Sequence, residues 1–132
     1  MPSPAWPLQQ AIFAKLTAAL DPVAVYDGVP PNAQRPYVVI GDDACVDDST
    51  KDQDSWLITA SLEAWDDRAR GRKSVKQILG AIHDALHRQA LAVTGFTVDW
   101  VRYVSESTEQ SDDGLTYLGI IRFQIRVEGE EF

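Results

Sequence analysis

Apolar residues recur along this chain in two different rhythms. Leu8, Ile12, Leu16, Ala19 and Leu20 follow helical spacing, with Pro7 suited to a first turn and Asp21-Pro22 as the stop. The run Val75, Ile78, Leu79, Ile82 and Leu86 makes a second stripe, predicting a helix over 71–88. Between the helices the period falls to two. Trp56, Ile58, Ala60, Leu62 and Ala64 alternate with Leu57, Thr59, Ser61, Glu63 and Trp65, which predicts a strand. Val23–Tyr26 and Pro36–Gly41 are shorter apolar pieces, separated by the turn-rich Asp27-Gly-Val-Pro-Pro-Asn. Two long strands close the chain around the turn Ser111-Asp-Asp-Gly114. In the last strand Leu115, Tyr117, Gly119, Ile121, Phe123, Ile125 and Val127 share one side, and Thr116, Leu118, Ile120, Arg122, Gln124 and Arg126 share the other.

The order α-β-β-β-α-β-β implies an α+β fold, an antiparallel sheet of four to five strands with both helices packed on one face. No repeat or linker interrupts it, so residues 1–132 are expected to form one domain. The opposite sheet face is the informative one. Leu57, Trp65, Val101, Tyr103, Leu118 and Ile120 are expected there, among Thr59, Glu63, Arg122 and Arg126. Left uncovered, that mixture would be an apolar patch of the kind that meets a partner.

Charge sharpens this picture. The net charge is −8 and the acids cluster: Asp42, Asp43, Asp47, Asp48, Asp52 and Asp54 crowd around Lys51, and Glu106, Glu109, Asp112 and Asp113 form a second group. Glu128, Glu130 and Glu131 form a third. Phosphate binding draws on Lys and Arg, so tight nucleic-acid binding is not expected. Segment 42–54 reads as a solvated loop that orders on meeting a partner. Arg68, Arg70, Arg72 and Lys73 make one basic group at the start of the second helix, where the helix dipole disfavours cations. They could dock on an acidic surface, or simply be balanced by Asp66 and Asp67. A lone cysteine, Cys45, gives no intrachain disulfide and points to a reducing compartment. The N-terminal segment lacks the features of a signal peptide, and no apolar stretch is long enough to span a bilayer, so no membrane is expected.

Catalytic chemistry finds little support. His83 and His87 stand one helical turn apart and superficially resemble a zincin pair. The residue after His83 is Asp rather than Glu, and the chain has no third His to complete a zinc site. Carboxylates beside Cys45 would raise its pKa and suppress the thiolate. The expectation is a protein without catalytic, cofactor or metal residues.

Three stretches then carry a resemblance. They are Val25-Tyr-Asp-Gly-Val-Pro-Pro-Asn-Ala-Gln-Arg-Pro-Tyr-Val-Val-Ile-Gly-Asp-Asp, Leu62-Glu-Ala-Trp-Asp-Asp-Arg-Ala-Arg-Gly with the helix after it, and Asp112-Asp-Gly-Leu-Thr-Tyr-Leu-Gly-Ile-Ile-Arg-Phe. In this order, over residues 8–128, they resemble the tail completion (tail terminator) proteins of long-tailed phages and gene transfer agents. The resemblance implies a structural virion protein at the head–tail interface, assembled in the bacterial cytoplasm. It implies a ring, typically of six copies, that caps the tail-tube protein and meets a head-completion or stopper protein. DNA would pass through the channel without specific binding. The family brings no catalytic residues, so the interface is assigned from the residues alone. The candidates are the acidic Asp42, Asp43, Asp47, Asp48, Asp52 and Asp54, the basic Arg68, Arg70, Arg72 and Lys73, and the outer-face Tyr103, Leu118, Ile120 and Arg122. The acidic segment would contact the tube or line the channel and repel DNA phosphates. A stopper or adaptor role is the alternative within the same biology, and a small metal-dependent enzyme using His83 and His87 the alternative outside it.

Overall fold

The computed structural model describes residues 3–130. Met1 and Pro2 at one end, and Glu131 of the third acidic group and Phe132 at the other, lie outside the described residues.

The elements run α1 (Ala5–Leu20), β1 (Ala24–Tyr26), β2 (Tyr37–Asp47), β3 (Ser55–Asp67), a short 3-10 turn (Arg68–Arg70), α2 (Gly71–Leu86), β4 (Phe96–Gln110) and β5 (Thr116–Gly129). The strands form one five-stranded sheet in the order β1-β2-β3-β5-β4. Helix α1 buries Leu8, Ile12, Leu16 and Leu20, and α2 buries Val75, Ile78, Leu79, Ile82 and Leu86. Both stripes join Ile58, Leu62 and Ala64 of β3 and Ile121, Phe123, Ile125 and Val127 of β5 in one core. The α+β layering with both helices on one face is therefore as the periodicity implies. Gly119 fixes how closely the layers approach, because a Cβ there would lie 2.9 Å from Leu79 Cδ1. Real side chains do not pack at that distance, so a methyl group here would force the buried Leu79 side chain to shift.

The structure departs from the antiparallel expectation at one edge. β1 pairs with β2 in parallel, Ala24 opposite Tyr37 and Tyr26 opposite Val39, so the sheet is mixed. The connection 27–36 explains it. Antiparallel neighbours can be joined by a tight turn, whereas a parallel pair needs a long crossover.

A second departure concerns segment 42–54. β2 continues through Asp42 and Asp43 to Asp47, with a register shift between Ile40 and Asp43 where a bulge interrupts its pairing with β3. Only residues 48–54 form a turn, and it is tied down. The Ser55 hydroxyl donates to the Asp48 carbonyl at 2.6 Å, and the Gln53 side chain donates to the Gly129 carbonyl at 2.8 Å. The acids do not prevent a strand because β2 beyond Val39 is a sheet edge. Its carboxylates stay in water there, and charged edges of this kind resist unwanted strand pairing.

Candidate assembly interface

The face of the sheet turned away from the helices is built strand by strand. Along β3, Leu57, Thr59, Ser61, Glu63 and Trp65 stand opposite Arg126, Gln124, Arg122, Ile120 and Leu118 of β5. On the far side of β5, β4 contributes Trp100, Arg102, Ser105, Ser107 and Glu109 in register with the same five residues. β2 adds Tyr37, Val39, Ala44 and Val46, placed beside Trp65, Glu63, Thr59 and Leu57. Both helices serve the opposite face, and most of these side chains are half-buried, neither sealed in a core nor freely solvated. Arg102 lies over the Trp100 ring at 4.9 Å and donates to Gln124 Oε1 at 2.7 Å. The cations of this face are arginines, beside Trp and Tyr, which is the side-chain chemistry enriched in protein interfaces and suited to hot spots.

Of the four outer-face residues expected to meet a partner, Ile120 and Arg122 take that place half-buried. Tyr103 does not. Register shifts between Val98 and Trp100 and between Tyr103 and Ser105 change the parity of β4, so Tyr103 stands opposite Phe123 and Val101 opposite Ile125, on the helix side. The Tyr103 ring meets Phe123 edge-on at 6.3 Å. Leu118 is on the expected face but only 9 % exposed, flanked in register by Trp65 and Glu109.

The acidic group runs along the β2 edge from Asp42 and Asp43 near mid-strand, where Asp43 pairs with Ala60, to the 48–54 turn at one end of the sheet. Its anchor is Arg126, which sequence reasoning placed on the outer face without giving it a role. Arg126 Nε contacts Asp48 Oδ2 at 3.0 Å, and its Nη1 contacts Asp99 Oδ2 at 2.9 Å and Glu128 Oε1 at 2.6 Å. Those hydrogen bonds to Glu128, Asp48 and Asp99 hold its guanidinium well above the ordinary arginine range. No spacing in the sequence announces this cluster, because its members come from β2's end, β4 and β5. Asp47, Asp52, Asp54 and Glu130 belong to the same end of the molecule, against Lys51 and Arg126.

The basic group sits at the other end of β3. A strand from Ser55 to Asp67 spans about 40 Å at ~3.3 Å per residue. Within one copy the two groups therefore cannot meet, although copies side by side could bring them together. Part of the basic group is already satisfied internally. Arg70 contacts Asp66 at 2.5 Å and Asp67 at 3.4 Å, and the Arg72 guanidinium lies 4.6 Å from the centre of the Tyr117 ring. Among the described residues Arg68, Arg72 and Lys73 make no salt bridge.

Asp66, read from the sequence only as a counter-charge, is fully buried. It accepts from the Ser74 hydroxyl, the Asp67 backbone N–H and Arg70. Burial opposes its ionisation, but the hydrogen bonds from Ser74, Asp67 and Arg70 prevail and hold the carboxyl below its usual range. Asp66 thereby fastens the start of α2 to the end of β3.

The His pair faces Tyr103. The two rings stack with centroids 4.8 Å apart, and His87 Nδ1 accepts the Tyr103 backbone N–H at 3.0 Å. That nitrogen is already used, and among the described residues no group of three or more His, Cys, Asp or Glu is placed to hold a metal. Cys45 is exposed on β2, with its thiol pKa raised chiefly by desolvation, against a lowering contact with the Ser3 side chain and with a smaller rise from Asp43. Among the described residues no helix is long and apolar enough to cross a membrane.

Comparison with known proteins places this geometry. The structure is similar to a chain in the virion of a native gene transfer agent (GTA) particle, with a TM-score of 0.85 and 24% identity, over 98% of this chain and 100% of that one. At that identity the likeness is one of fold. Among curated proteins none matches the chain in sequence. The family described as tail completion protein gp17 matches residues 10–128. The chain belongs to the tail completion protein gp17 family, and it is a structural component of a phage-type tail.

Proposed function

We propose that this protein is a tail terminator, copies of which join as a ring, six in number, that caps the last ring of tail-tube protein. The ring then offers the surface on which the head-completion or stopper protein docks. The observation that carries this reading is the sheet face around Ile120 and Arg122, built of half-buried Trp, Tyr, Leu, Ile and Arg side chains and left without a covering helix. A single copy has no use for such a face, and family membership supplies its setting. Cyclic rings use two different patches per copy, each meeting the other on the neighbour. The separated charge groups fit that requirement, with Arg68 and Lys73 of one copy facing the acidic edge of the next and setting their register. DNA would pass through the channel without specific binding, kept from sticking by the Asp42–Asp54 carboxylates.

Electron microscopy of particles made without this protein tests the role. Filled heads beside free tails of abnormal length are the expected result. Free tails of normal length with leaking heads would assign the chain to a stopper or adaptor position instead.

A further inference from the structure

Helix α2 ends at Leu86, and the turn that follows it, His87 and Arg88, lies against β4, an edge strand of the sheet. Arg88 adopts a φ of 56°, a left-handed conformation uncommon for a side-chain-bearing residue. The turn brings two groups against the edge. The Arg88 N–H donates to the Val101 carbonyl at 3.0 Å, and the Tyr103 N–H donates to His87 Nδ1 at 3.0 Å. Backbone groups that an edge strand would leave open are thus closed by the end of the helix. The Tyr103 ring stands edge-on to both imidazoles, 5.0 Å from His83 and 6.4 Å from His87, and its hydroxyl donates to Glu106 at 2.9 Å.

We infer that His87 is a proton-controlled latch, closed by the bond from the Tyr103 N–H to its neutral Nδ1 and opened when that nitrogen takes up a proton. An imidazole nitrogen accepts a hydrogen bond only while unprotonated, so the closed state carries its proton on Nε2. Protonation turns Nδ1 into a donor facing a donor. The contact is lost, and the Val101–Tyr103 edge and the turn after α2 come apart.

The charged and titratable groups around the ring come from each element packed there. His83 and Asp84 lie on α2, Arg88 follows it, Tyr103 and Glu106 lie on β4, and β5 presents the uncharged Phe123. The helix C-terminus favours the imidazolium, while Asp84 and Glu106 spend their contacts on His83 and the Tyr103 hydroxyl. Desolvation first, then His83 and Arg88, oppose it and lower the His87 pKa. The folded chain thus prefers neutral His87, and the unfolded chain takes up the proton first. The latch contributes above the free-histidine pKa of ~6.5 and is lost as pH falls through the lower folded value. It lies within one copy, so it operates whether or not copies join in a ring.

An NMR titration of the full chain from about pH 8 to about pH 5 tests it. The expected result is a His87 midpoint below ~6.5, with the Tyr103 amide resonance moving at the same midpoint. Exchange protection of that amide, corrected for intrinsic rates, should fall about tenfold through the transition. The variant His87→Asn offers an acceptor that does not titrate, and should leave Tyr103 protection independent of pH. A Tyr103 amide that ignores the His87 titration in the unaltered protein, or one that keeps its pH dependence in His87→Asn, would overturn the latch.

Discussion

Asp66 carries a full charge without exposed surface because three donors converge on it. A buried carboxylate so held is worth more broken than made, since its removal strands the donors around it. Asp66→Ala is expected to destabilise the protein by about 2 kcal/mol in urea unfolding. The pH dependence has a definite sign. The folded pKa lies below the unfolded value of ~3.9, so the contribution is complete above that value and disappears as pH falls through the folded one. Asp66→Asn should flatten the acid limb of a stability-against-pH curve by lowering the neutral plateau, where the carboxylate contributes, while changing the acid end least. The basic group divides on the same grounds. Arg70 is spoken for by Asp66 and Asp67, whereas among the described residues Arg68 and Lys73 pair with no carboxylate, and the Arg68 guanidinium reaches only the Gly114 carbonyl at 3.5 Å.

At the scale of elements, the β2–β3 turn and β4 show where local pattern stops being informative. Alternation in Trp56–Trp65 and Thr116–Val127 is uninterrupted, so the parity of β3 and β5 is legible, and with it the outward placing of Ile120 and Arg122. β4 contains two irregularities, each of which adds a residue and reverses the sides of all that follow. Tyr103 is misplaced by any reading that assumes strict alternation, since nothing in Val98–Ser105 marks a bulge. The acidic stretch misleads in another way. Six aspartates mask the short β-forming core Ala44-Cys45-Val46, whose strand depends on pairing with Leu57–Thr59. The turn beyond it depends on Arg126, far away in the chain. Arg126→Ala should therefore raise hydrogen exchange at the Asp48 and Thr50 amides about tenfold, with the β3 and β5 amides of the core unchanged. Unaltered exchange at those two amides would show that Ser55 and Gln53 hold the turn without it.

At the scale of the whole molecule, fold and interface answer to different constraints. The helix face is closed by Leu, Ile, Val and Phe and needs nothing further, while the outer face of the same sheet is stitched with Arg, Trp and Tyr. Substitutions there should separate folding from assembly. Ile120→Glu and Arg122→Glu are expected to leave the unfolding midpoint of the isolated chain within about 1 kcal/mol, since half-exposed positions tolerate polar change. Particles carrying them should nevertheless show tails of uncontrolled length, as particles lacking the protein would. Normal tails from both variants would remove this face from the interface.

The acidic end held by Arg126 has one more consequence. Negative charge gathers at the 48–54 end, so each copy is an electric dipole lying along its strands. Rotation about a ring axis leaves the axial part of such a dipole unchanged. Copies arranged in a circle would therefore add their axial fields while their radial parts cancelled. To the extent that the strands tilt along that axis, one rim of the assembled body would be more negative than the other. A partner ring approaching by diffusion would be turned to a preferred face before any side chains touched, and raising the salt concentration would erase that preference first.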